Sequence, residues 1–195
     1  MIHPHTELRF ISSEVGYGVV AIQDIPAGTI TWALDKLDRE FTIEQFESMD
    51  ALYQEILDTY TFRNSKGNLI LCWDNGRFVN HSFNSNCLTT AYDFEIAIKD
   101  IKAGEQLTDD YGYLNISKPF RGIDEGTRRK IVYPDDLTRY YKQWDKKIQK
   151  MFPRIALVEQ PLKPVITDVL WKEINAVING DLEMKSILST YYRVD

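Results

Sequence analysis

The sequence predicts a mainly β fold. A body of short strands spans residues 1–117, with one helical insert near 43–58, and a helical C-terminal extension covers 135–195. Three observations predict it. Short apolar, β-branched runs recur between Gly, Pro and Asn turns through the first 117 residues. A single window near 43–58 departs from this, with apolar residues at helical spacing. Beyond Pro134 the apolar period becomes that of a helix and stays so. With 195 residues, 44% of them hydrophobic and 27% charged, the composition is globular. A chain of this length buries roughly 70% of its unfolded surface, so a core forms without staples.

Taken in order, Leu8-Arg9-Phe10-Ile11 reads as a strand, broken by Gly16-Tyr17-Gly18, and Val19-Val20-Ala21-Ile22 as its successor. Asp24-Ile25-Pro26-Ala27-Gly28 is a turn, since Pro and Gly set its dihedral angles. Ile30-Thr31-Trp32-Ala33 resumes a strand. Thr42 with Gln45 three residues on makes a capping box. Phe46, Met49, Tyr53 and Leu57 then predict one amphipathic helix over about 43–58. Lys66-Gly67-Asn68 is a hairpin turn before Leu69-Ile70-Leu71. Phe94-Glu95-Ile96-Ala97-Ile98 alternates as a strand does, and Lys102-Ala103-Gly104-Glu105 turns after it. From Pro134, the residues Leu137, Tyr140, Tyr141, Trp144, Ile148 and Met151 form a helical stripe that ends at Pro153. A last helix over 165–179 stops at Gly180.

Lys plus Arg number 23 and Asp plus Glu 29, a net charge of −6. General nucleic-acid binding needs a basic footprint, so no direct nucleic-acid partner is expected. Only Cys72 and Cys87 occur, which excludes a disulfide scaffold and a four-thiolate zinc site. The expected setting is intracellular, cytoplasmic or nuclear, with a secreted effector left open. No window approaches the eighteen apolar residues of a membrane span, so no membrane partner is expected.

Polar residues concentrate in Arg77-Phe78-Val79-Asn80-His81-Ser82-Phe83-Asn84-Ser85-Asn86-Cys87. Such a stretch reads either as an Asx-rich surface loop or as a site. His81 is no zinc site, because His3 and His5 are the only other imidazoles and are expected on a mobile terminus. Cys87 with His81 spells a thiol nucleophile or, more simply, a buried inert Cys. A second cluster is Glu105-Gln106-Leu107-Thr108-Asp109-Asp110-Tyr111-Gly112-Tyr113. Its adjacent carboxylates point to opposite faces of a strand, so they do not share a metal ion.

Taken with Gly16-Tyr17-Gly18, and in this order along the chain, the clusters resemble the SET domain of protein-lysine methyltransferases over about 8–115. The resemblance implies short β-sheets around a pseudoknot, in which the Asp110-Tyr111-Gly112 segment threads beside Asn80-His81-Ser82. It implies S-adenosylmethionine as methyl donor, S-adenosylhomocysteine as its product, and a target lysine entering by a narrow channel. By that likeness Gly16, Tyr17, Gly18, Arg77, Phe78, Asn80 and His81 hold the donor, and Tyr111 is the catalytic tyrosine. Trp32, Asp109 and Tyr113 line the lysine channel. The partner implied is a protein or peptide bearing a target lysine, and the charge of −6 suits a basic one.

Two departures from the family's pattern stand out. Many relatives continue into a segment with three Cys that bind zinc. Here residues 118–134 contain none, so no zinc is expected and the helix from Asp135 is the candidate to hold the lid. Asp109 stands two residues before Tyr111, where many relatives carry Phe or Tyr; it either holds the substrate ammonium or faces solvent. The reading is a lysine methyltransferase, with a non-catalytic SET-like peptide- or donor-binding module as the alternative.

Overall fold

The computed structural model describes residues 1–193, which form five small sheets, one of them a parallel pair, and a helical C-terminal part. β1 (Thr6–Ser12) and β2 (Gly16–Ala21) pair antiparallel. The turn between them lies at 13–15, where Ser12 Oγ accepts from the Val15 N–H at 3.1 Å. Gly16-Tyr17-Gly18 therefore opens β2 and does not break the strand region as expected. β3 (Ile30–Ala33) follows the Pro26-Ala27-Gly28 turn. Gly28 has φ 99°, and a Cβ there would lie 2.5 Å from Arg154 Cβ. Only glycine suits both demands.

After β4 (Arg39–Phe41) the predicted single helix over 43–58 is two: α1 (Ile43–Glu47) and α2 (Ala51–Tyr60). The capping box is present, with Thr42 Oγ1 accepting from Gln45 N–H and Gln45 Oε1 from Thr42 N–H. The break follows from side chains competing with the helical ladder. Ser48 Oγ donates to the Gln45 carbonyl at 2.8 Å, Gln54 Nε2 to the Met49 carbonyl at 2.9 Å, and Asp50 is extended. Apolar periodicity alone does not register such competition. β5 (Thr61–Arg63) and β6 (Leu69–Leu71) form the expected hairpin beside β4, and Phe41, Leu57 and Leu69 make a small core of their own.

β7 (Asn80–His81) precedes β8 (Cys87–Thr89) and β9 (Phe94–Ala97), which join β3 in the order β3-β9-β8. β10 (Thr108–Asp109) runs parallel to β7, with Thr108 opposite Asn80 and Asp109 opposite His81. β11 (Phe120–Arg121) and β12 (Ile131–Val132) form a hairpin in the Cys-free segment. α3 (Asp136–Met151) carries the predicted stripe, and α4 (Asp168–Asn179) is capped by Thr167 and stopped by Gly180.

The helices share the body's core. Leu137, Trp144 and Ile148 of α3 belong to one cluster with Leu88, Phe94 and Ile96. Full burial of each such side chain contributes about 1.5–3 kcal/mol. The change near residue 117 is thus a change of sequence pattern, and one core runs through it. The N-terminus, expected to be mobile, is tied down. His3 N–H donates to the Thr31 carbonyl at 2.8 Å, Ala33 N–H to the Met1 carbonyl at 3.0 Å, and His3 is 3% exposed. Among the described residues no helix is long and apolar enough to cross a membrane.

Candidate active site

The pairing of β7 with β10 brings together the two polar clusters, which lie about thirty residues apart. Tyr111, just beyond β10, donates its N–H to His81 Nδ1 at 3.2 Å. Its hydroxyl lies 2.6 Å from the Val79 carbonyl, which can only accept, so the hydroxyl proton points there. Burial pushes the Tyr111 phenol well above its ordinary value. Burial also lowers His81, partly countered by the Asp110 charge, which favours the neutral ring that accepts from Tyr111. Phe83, Tyr111 and Phe120 pack around the imidazole, at ring separations of 4.4, 5.5 and 5.3 Å. His81 Nε2 is buried there without a hydrogen-bond partner among the described residues.

On one side of the crossing lies a polar cradle. Asn80 Nδ2 donates to the Tyr17 carbonyl at 3.0 Å and to Gln106 Oε1 at 3.1 Å. Gly18 fits beneath them, since a Cβ there would fall 2.4 Å from Gln106 Oε1 and 2.7 Å from Asn80 Nδ2. A cavity of about 760 Å³ is lined, among others, by Trp32, Arg77, Glu95, Asp109, Tyr111 and Tyr113. Trp32 is 6% exposed and meets Phe62 edge-on at 5.7 Å. Arg77 donates Nη1 to the Trp73 carbonyl at 3.0 Å and to the Cys72 carbonyl at 3.3 Å. Phe78, beside it, packs on Tyr60 at 5.4 Å.

The adjacent carboxylates diverge as their strand positions require. Asp109 is 2% exposed and accepts from the Tyr113 hydroxyl. Burial, and then the neighbouring Glu95, push its carboxyl well above the usual range. Facing the cavity from a buried position, Asp109 does not face solvent, which removes one of its two expected readings. Asp110 turns the other way. Its Oδ1 accepts from Gly112 N–H at 3.0 Å, and its Oδ2 pairs with Arg129 at 2.5 Å. Arg129 also pairs with Asp136 at 2.5 Å and lies over the Tyr140 ring at 4.6 Å. This clamp joins the Cys-free segment to the start of α3. Cys87 is fully buried and its thiol is pushed well up, so it has no nucleophilic character.

The structure thus gathers Gly18, Tyr17, Asn80, His81 and Tyr111 around the crossing, and Trp32, Arg77, Asp109, Tyr111 and Tyr113 around the cavity. Gly16 pairs with Ser12 at the turn end of the β1–β2 hairpin. Phe120, Arg129 and Glu95 escaped the sequence reading. The alternation Phe94-Glu95-Ile96 is the signal for Glu95, because a charge between two core residues must leave by the other face. Phe120 and Arg129 carry no local signal. Among the described residues no three His, Cys, Asp or Glu side chains gather as a metal-ion site.

Comparison with known proteins agrees with this geometry. The family model described as SET domain matches residues 16–112. The histone-lysine N-methyltransferase ASHH2 of Arabidopsis thaliana is 30% identical over 128 residues, which cover 55% of this chain and 7% of that relative. The chain therefore spans a small part of that protein's length. The solved structure of a candidate histone methyltransferase from Plasmodium falciparum matches with a TM-score of 0.41 at 18% identity, covering 56% of this chain and 95% of that one. With the β7–β10 crossing and the family match on the same residues, the chain belongs to the SET-domain family.

Proposed function

We propose that this chain is an S-adenosylmethionine-dependent methyltransferase that modifies the side-chain amine of lysine in a protein or peptide. The observation that carries the reading is the β7–β10 crossing, which joins Tyr111 to the polar cradle through His81 and leaves the same residue on the cavity wall. The cradle suits the donor. A backbone with no room for a Cβ at Gly18, the polar Asn80 and the unpartnered His81 Nε2 together favour a polar ligand at this edge. Gly16, Tyr17, Gly18, Asn80 and His81 would hold it, with Arg77 and Phe78 as the remaining candidates. Bound there, the donor supplies an electrophilic methyl group on a sulfonium sulfur and leaves as S-adenosylhomocysteine.

The chain's residues supply the rest. Neutralising a lysine at pH 7 costs about 4–5 kcal/mol. Walls made of Trp32, Phe62, Tyr111 and Tyr113 disfavour the ammonium and offset part of that cost. With its proton on the Val79 carbonyl, the Tyr111 oxygen keeps lone pairs for an incoming amine and its methyl group, an orientation effect. Arg129 holds the Cys-free segment, so this lid needs no zinc clasp. A substrate lysine in a basic, histone-like protein fits the charge of −6 and the name of the Arabidopsis relative. We place the reaction inside a cell, with no direct nucleic-acid or membrane partner.

The rival, a SET-like module that binds without turnover, draws on one observation: the Tyr111 hydroxyl proton is already engaged by Val79. Calorimetric titration with S-adenosylhomocysteine tests the donor half. Binding is expected, weakened in Asn80→Ala by about 1–3 kcal/mol through loss of a buried polar anchor. No binding to the wild-type chain removes the reading.

A further inference from the structure

Glu95 has no part in the reading above, yet it lines the cavity beside Asp109. On β9 it alternates with buried Phe94 and Ile96, opposite Trp32 in the strand register. Glu95 and Asp109 line the same cavity from buried positions, where burial raises both carboxyl groups and each feels the other. Two carboxyl groups so placed do not both ionise, so they share one proton and carry one net negative charge. Asp109 Oδ1 accepts from Tyr113, and Glu95 Oε1 from Thr89 Oγ1 at 3.4 Å. Glu95 Oε2 is buried without a hydrogen-bond partner among the described residues. So is the indole N–H of Trp32, a side chain only 6% exposed on the same cavity wall. The Met1 ammonium acts on Glu95 but pairs with Asp35 at 3.0 Å, and Arg77 on the same wall donates to the Cys72 and Trp73 carbonyls, so among the described residues no ion pair engages Glu95 or Asp109. A buried charge with no direct ion-pair partner is costly, and a cation entering the cavity relieves it.

We propose that the Glu95–Asp109 pair receives the ammonium of the substrate lysine and takes its proton, an inference that rests on the methyltransferase reading. One N–H bond breaks and its electrons stay on nitrogen as the lone pair. One O–H bond forms on the pair, so the charges +1 and −1 both become zero. In a cavity of low dielectric, two neutral partners compete well with a buried ion pair. The pair then returns its extra proton to water before the next cycle. The other titratable and charged groups bearing on the pair are the Met1 ammonium, Arg77, Cys72, Cys87, Tyr111, Tyr113 and Asp110. Burial keeps the two thiols and Tyr111 protonated, Tyr113 donates to Asp109, and Asp110 is matched by Arg129.

n-Butylamine, whose ammonium ends a four-carbon chain like that of lysine, is the probe. Difference infrared spectra of the full chain near neutral pH, with and without n-butylamine, distinguish carboxylate from neutral carboxyl. The expected result is loss of a carboxylate band and gain of a carboxyl carbonyl band, both absent in Glu95→Gln and Asp109→Asn. n-Butylamine that leaves these bands unchanged in the wild-type chain overturns the proposal, and that spectrum needs no variant to fold. In methyl transfer, each variant should lose about 10²-fold in rate, as for a general base, with donor affinity kept. Variants that transfer at the wild-type rate overturn the proposal and leave the methyltransferase reading standing. If the wild-type chain fails to bind the donor, that reading falls while the infrared bands still decide the role of the pair.

Discussion

Replacing Gly18 by Ala tests the cradle at its tightest point. The added Cβ would lie 2.4 Å from Gln106 Oε1, 2.7 Å from Asn80 Nδ2 and 2.9 Å from Ile11 Cγ1. All three are side-chain atoms, so the strands survive and the side chains move. Gln106 is the freest, and its departure breaks the 3.1 Å bond to Asn80 Nδ2. Asn80 is left on the Tyr17 carbonyl alone. Overpacking of this kind costs about 1–3 kcal/mol. At about 2–4 °C per kcal/mol for a chain of this size, the melting temperature should fall by roughly 2–12 °C. The displaced Asn80 should weaken S-adenosylhomocysteine binding about tenfold, equivalent to 1.4 kcal/mol. Gly104→Ala is the control. Its φ of 90° makes Ala cost about 1–2 kcal/mol, but no atom crowds the position. Titration calorimetry and thermal melts of both variants separate the effects. Equal donor affinity in Gly18→Ala and wild type would refute the cradle as the donor site.

Tyr111→Phe should lower turnover by roughly 10²–10³, as for loss of an aligned polar contact, with donor affinity retained. It should also cost about 1–3 kcal/mol of stability, because the Val79 carbonyl loses its partner; an unchanged rate in a transfer assay removes Tyr111 from the reaction. Arg129→Met strands the buried carboxylates Asp110 and Asp136, which should lower the unfolding free energy by about 3–5 kcal/mol in a denaturant melt. A loss below 1 kcal/mol would show that the clamp does not hold the lid. Burial, and then His5, lower the His3 pKa from 6.5 to about 4, and its Nδ1 accepts from the His5 N–H. The folded chain therefore favours neutral His3. Its contribution is complete above pH 6.5 and is lost as pH falls toward 4, by at most about 3 kcal/mol. His3→Gln should flatten stability over that window, and an unchanged pH slope would refute the assignment.

Local backbone features were legible in the residues. The Thr42–Gln45 box, the Gly180 stop, the α3 stripe and the paired turns near Gly28 and Gly104 each depend on neighbours within a few positions. The break at Ser48-Met49-Asp50 was not, because it depends on which backbone groups the side chains reach. The β7–β10 crossing was legible through motif order alone, since two-residue strands carry no periodicity. Arg129 reaches Asp110 across nineteen positions, and Glu95 meets Asp109 across a turn and a strand. Nothing local in Thr127-Arg128-Arg129-Lys130 selects which basic residue becomes the clamp. The N-terminus illustrates the same limit from the other side. Met1, Ile2 and His3 have the composition of a loose end and are ordered because β3 offers them backbone partners and Asp35 and Asp74 offer carboxylates.

The most direct measurement is incubation of the purified chain with labelled S-adenosylmethionine and a cell extract, followed by mapping of the label by mass spectrometry. Label is predicted on the side-chain amine of lysine in an extract protein, strongly reduced with Tyr111→Phe. A chain that binds S-adenosylhomocysteine but transfers no methyl group to any lysine, across extracts of varied source, would contradict the methyltransferase reading and leave the binding module in its place.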